Sequence, residues 1–147
     1  MNITELMIGD IVQCTDGEQC IITNVRKIDG QSGIVSLKQS NGHVFNAVIG
    51  FISPAPLIAE FLEANGFARA TEPKENWKAD YYLPRSNRND PFVTVMFWND
   101  GGIVIKIETE AKTCNGINSV HNCDTTSIHQ FQHLLKDCGI NIKLTLP

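Results

Sequence analysis

Apolar positions along this chain switch repeatedly between strand and helix period. Over the first fifty residues they come in short runs cut by glycine turns. "IGDIVQC" enters a strand, Asp16-Gly17 turns it, and "CIITNVRKI" returns. "DGQSG" turns again, "IVSLKQ" is a third strand, and Asn41-Gly42 precedes "HVFNAVIGFI". Asp-Gly and Asn-Gly supply the positive φ of tight hairpin turns. Strands this short and closely spaced predict a meander closed into a small SH3-like barrel over residues 1–53.

The period then becomes helical. In "SPAPLIAEFLEANGF", Leu57, Ile58, Phe61 and Leu62 recur at helix spacing, Pro56 suits the first turn and Gly66 the C′ position. This predicts a helix over 56–65 and opens a second lobe, 54–147. Strands are predicted over 80–83, 92–98 and 103–109. "PFVTVMFW" is apolar on both faces, as a central strand is. Residues 111–123 read as a polar loop, 125–138 as a helix and 140–146 as a last strand. The expected fold class is α+β: the small barrel, then an antiparallel sheet with two helices.

That last helix raises the question of chemistry. "TTSIHQFQHLLKDCG" places His129 and His133 four apart, after Cys114, His121 and Cys123. Histidines at i and i+4 lie on one helical face and can chelate a metal. At about 100° per residue, however, Phe131, Leu134, Leu135 and Cys138 occupy the opposite arc. The two histidines are therefore expected on the wet side with Gln132 and Lys136. Metal binding by His129, His133, Cys123, His121 and Cys114 is the weaker reading, since no Cys-x-x-Cys spacing supports it. Cys123, near the helix start, is a candidate low-pKa nucleophile with His121 or His129 as base. Asp124 beside it and the absence of a recognisable oxyanion hole count against that. Neither a catalytic set nor a cofactor motif is identified: the chain has no phosphate loop, dinucleotide fingerprint, nucleophile elbow or His-Glu-x-x-His.

Composition narrows the rest. The 147 residues are 42% hydrophobic and 19% charged, an ordinary globular balance. A net charge of −4, with no basic cluster beyond Arg85 and Arg88, weighs against nucleic acid as a partner. The longest uncharged run is broken by Pro54, Pro56 and two glycines, so no membrane span is expected. Five cysteines without a framework, and no signal-like start, point to free thiols in a reducing cytoplasm.

"ELMIGDIVQ", "ISPAPLIAEFLEANGF" and "SIHQFQHLL" occur in that order. The pattern resembles a group of small proteins of Bacteroides-group bacteria, their phages and mobile elements. These carry a small barrel, a Pro-Leu…Gly-Phe helix and a His-Gln-x-Gln helix, which His129, Gln130 and Gln132 match. His133 stands where the group usually has Asn, and Leu135 where it has an aromatic. The resemblance implies this architecture and a mobile-element origin; it implies no activity. The function expected is a non-enzymatic module that binds a protein partner, as monomer or weak dimer. The stripe His129, Gln130, Gln132 and His133 is its candidate surface.

Overall fold

A computed structural model describes residues 2–29, 32–70, 77–87, 89–110, 117–122 and 124–147. The chain divides into two compact units. The first comprises Met1–Pro56, Ser127–His133 and Leu144–Pro147; the second comprises Leu57–Thr126 and Leu134–Lys143. Three stretches read from sequence as second-lobe material, 54–56, 127–133 and 144–147, thus group with the first unit.

In the first unit β1 (Ile11–Cys14), β2 (Gln19–Lys27), β3 (Gly33–Lys38), β4 (Val44–Val48) and β5 (Ile52–Pro54) form an antiparallel sheet in the order β4-β3-β2-β1-β5. The predicted hairpin turns are present, with Gly17 and Gly42 both at φ 88°. Alternate residues face one core: Val12, Cys20, Ile22, Val35 and Leu37 are buried there with Ile49 and Ile52. Each of the aliphatic side chains contributes roughly 1.5–3 kcal/mol on burial. A register shift between Ile22 and Asn24 interrupts the β2–β3 pairing, and a bulge of this kind bends the strand. Ile3, from a 3-10 turn (Ile3–Glu5), enters the same core over Gly33. A β-carbon at residue 33 would collide with Ile3 Cδ1 and lie 2.8 Å from the Arg26 carbonyl oxygen, so only glycine fits. The expected closure into a barrel is not seen among the described ladders. After β4 a single 3-10 turn (Ile49–Phe51) leads to β5, which pairs with β1 and not with β4.

The second unit is an antiparallel meander of β6 (Ala68–Arg69), β7 (Trp77–Tyr82), β8 (Phe92–Trp98), β9 (Ile103–Glu110) and β10 (Ile117–Asn122), in the order β10-β9-β8-β7-β6. β8 is the middle strand, as its two apolar faces require, and Val93, Val95 and Met96 are buried. The first helix, α1 (Ala59–Ala64), is shorter than expected at its start, because Pro56 makes an isolated bridge to Ser127. Phe61 and Leu62 are buried, whereas Ile58, assigned from sequence to the apolar face, is exposed. Part of the expected loop 111–123 is strand β10; residues 111–116 and 123 lie outside the described residues. The second helix, α2, spans Ile128–Asp137. The strand expected over 140–146 is not seen: among the described residues the segment has no strand pairing, although Ile140 and Leu144 are buried. Among the described residues no helix is long and apolar enough to cross a membrane.

Candidate functional site

The start of α2 is held by side chains, not exposed by them. Ser127 occupies the N-cap position and the Ile128 N–H donates to the Ala55 carbonyl at 2.8 Å. Ser127 Oγ donates to Gln130 Oε1 at 2.9 Å and lies 3.1 Å from His129 Nδ1. One hydroxyl has one proton, so with that proton on Gln130 the second bond needs Nδ1–H of His129 as donor. This places a proton on Nδ1 of a buried imidazole. Burial pushes the His129 pKa below its ordinary 6.5; the charge of Asp10 partly offsets this and His133 adds to it.

One turn on, Gln132 behaves like an added strand residue. Its Oε1 accepts from the Ile11 N–H at 2.9 Å and its Nε2 donates to the Gly9 carbonyl at 3.0 Å. Asp10 bonds through its backbone to β2, so Ile11 presents its N–H on the β5 side. There β5 has stopped at Pro54, opposite Val12. A side-chain amide takes over the pairing where the strand runs out. Beside it His133 Nε2 meets Asp10 Oδ1 at 2.9 Å, and Asp10 Oδ2 accepts from the Met7 N–H at 2.8 Å. Asp10 is buried, and sequence reasoning did not single it out. The only signal was its place after a glycine at the mouth of the first strand.

These contacts correct the expectation that both histidines face water. His129 is 4% exposed and His133 and Gln132 are half-buried; of the stripe only Gln130 is exposed. The helical wheel located the apolar arc correctly but could not show that the polar arc is also covered. That covering comes from backbone amides and a carboxylate of the first unit, which polar side chains satisfy. As a partner surface the stripe His129–Gln130–Gln132–His133 is therefore largely used up internally.

The same geometry speaks to catalysis. A triad needs the acid and the nucleophile on one imidazole. Here Asp10 bonds His133 and Ser127 bonds His129, with the two rings perpendicular and their centroids 6.0 Å apart. Ser127 is itself buried. Among the described residues no three His, Cys, Asp or Glu side chains converge as metal ligands. His121 lies on β10 opposite Lys106, while Cys114 and Cys123 fall outside the described residues. Of the remaining thiols Cys20 is buried and Cys14 and Cys138 half-buried. Arg85 stacks over the Phe92 ring at 4.9 Å, and Arg88 lies outside the described residues.

A groove in the second unit is the more open feature. It encloses about 520 Å³ between α1 and the strands β6–β9. Its apolar lining includes Ala79, Phe97 and Ile103, with Ile58 at the helix side. Glu60 and Glu63 stand on the helix wall, Arg69 and Lys78 on the strand wall, all four exposed. The buried Tyr81 hydroxyl donates to Glu63 Oε1 at 2.9 Å, and Phe97 packs edge-on against the Tyr81 ring. Burial and that bond raise the Tyr81 pKa, so the phenol stays protonated and orients the carboxylate.

Comparison with protein-family models, curated proteins and solved structures finds no match for this chain.

Proposed function

We propose that this protein is a non-enzymatic binding module whose ligand is a short segment of a partner protein seated in the α1 groove. The observation that carries this is the groove's division of labour. An apolar floor lies between a carboxylate wall, Glu60 and Glu63, and a cationic wall, Arg69 and Lys78. Ligand sites combine apolar lining with a few placed polar groups in this way. The complementary ligand is an extended peptide with a basic side chain, an apolar one and an acidic one in succession. The first unit is read as an SH3-like barrel, the frame on which the module is built. Supporting this are the strand order β4-β3-β2-β1-β5, the 3-10 turn before the last strand and the antiparallel return of β5 to β1.

The test is a screen of displayed short peptides against the labelled full-length protein, followed by amide NMR mapping. Selected peptides are expected to shift Ile58, Lys78 and Phe97, and to lose binding in Arg69→Glu and Lys78→Glu. Peptides that shift only residues of the first unit, or a screen without binders, would overturn the groove as the site.

A further inference from the structure

We infer that the edge of β4 is a homodimer contact, pairing antiparallel with β4 of a second copy of this chain about a two-fold axis through Asn46. The phase of the backbone supports it first. The Gln39 N–H donates to the His43 carbonyl at 2.9 Å, making 39 and 43 a hydrogen-bonded pair. Such pairs alternate, so Phe45 and Ala47 bond inward to Leu37 and Val35. Val44 and Asn46 therefore turn their N–H and C=O groups outward, as Val48 does its N–H, while the Val48 carbonyl begins the 3-10 turn Ile49–Phe51. β4 is the last strand in its sheet, and no ladder among the described residues uses that side.

At alternate positions the sequence of the edge is symmetric about its middle. Val44-Phe45-Asn46-Ala47-Val48 places valine, asparagine and valine on the outward phase. Antiparallel pairing centred on Asn46 sets Val44 against Val48 of the second copy and Asn46 against itself; the Asn46 pair exchanges two hydrogen bonds, and each Val48 N–H donates to the Val44 carbonyl opposite. Val44 and Val48 are 54% and 48% exposed, so each pair buries apolar surface that the monomer leaves wet. The same register brings Gly42 opposite Gly50 of the second copy, and neither position has a heavy atom within 4 Å of where a β-carbon would stand. Nothing repels the second copy: the strand has no charge, no proline and no register shift against β3, the usual guards of an edge.

Area limits the strength. A strand of this length spans about 17 Å, and ribbon pairing alone covers well under the ~1,200 Å² of a stable interface. The dimer is weak and reversible, forming as concentration approaches millimolar. Sedimentation velocity from micromolar to millimolar protein should show the mean mass rising toward twice the monomer. Val48→Pro is the sharpest variant. Val48 sits at φ −75°, ψ 143°, which proline adopts, and its N–H points away from β3. It should keep the monomer's thermal midpoint and abolish association, as should Asn46→Lys, which sets like charges on the axis. Under mild oxidation Asn46→Cys should cross-link to itself much faster than Val44→Cys, with the wild-type chain controlling for native thiols. A monomer at millimolar concentration, association that survives both charged and proline variants, or equal cross-linking at 44 and 46 would overturn the inference.

Discussion

Asp10 and His133, 123 positions apart in the chain, meet at 2.9 Å through a carboxylate oxygen and a ring nitrogen. The same carboxylate accepts the Met7 N–H. One buried side chain thus sets the turn into β1 and anchors α2. Asp10→Ala should destabilise by about 1–3 kcal/mol, because two donors lose their acceptor. His133→Ala should cost less, since Asp10 keeps its bond from the Met7 N–H. A double-mutant cycle by urea unfolding should give a coupling of at least ~0.5 kcal/mol; additive effects would mean the pair is not formed.

His129 gives the fold a pH dependence with a definite sign. Its pKa is lowered in the folded protein, chiefly by burial, so the unfolded chain binds the proton more readily. The stability tied to its neutral form is complete above the ordinary value of 6.5 and declines as pH falls through 6.5 toward the folded value. Urea midpoints compared between about pH 8 and about pH 5 should drop more steeply in wild type than in His129→Asn. The difference between the two slopes isolates this residue from the other groups that titrate there.

Gly33 and Ile3 form a contact that a single methyl group disrupts. Gly33→Ala should cost about 1–3 kcal/mol by overpacking against Ile3 Cδ1. In an Ile3→Ala background the same change should cost less, though not nothing, because the Arg26 carbonyl remains in the way. Equal penalties in both backgrounds would show that Ile3 does not lie over Gly33.

The Cys14–Cys20 pair should be chemically quiet. Their sulfurs are 3.3 Å apart on facing strands, and burial, then the bond to Cys14, pushes the Cys20 pKa up to about 12. Burial raises Cys14 as well. Thiolate is the reacting form, so iodoacetamide at neutral pH should label Cys20 in urea and scarcely at all in the native protein, as read by peptide mass mapping. Fast native labelling of Cys20 would contradict its place in the core. A uniquely fast thiol at Cys123 would instead favour a thiol-dependent activity over the binding reading.

Local signals accounted for most elements. The Asp16-Gly17 and Asn41-Gly42 turns, the doubly apolar β8 and the apolar arc of α2 were legible because each depends on neighbours in sequence. Strand β10 was missed because its residues, Ile117–Asn122, carry little apolar alternation and find their register only by pairing with β9. The segment 140–146 failed the other way: "INIKLTL" alternates like a strand, yet among the described residues no sheet edge pairs with it. Alternation states which side chains seek burial; a strand also needs a partner for its backbone.

By itself the sequence determined the α+β class, the hairpin meander of the first unit and the buried faces of β8 and α2. These follow from apolar periodicity and turn chemistry, which act over a few residues. Tertiary structure decided what the polar residues do. His129, Gln132 and His133 look like a wet stripe until the amides of Gly9 and Ile11 and the carboxylate of Asp10 are brought against them. Asp10 gains its role for the same reason. A hydrogen bond stabilises a fold by satisfying a buried partner, and that partner can lie more than a hundred residues away.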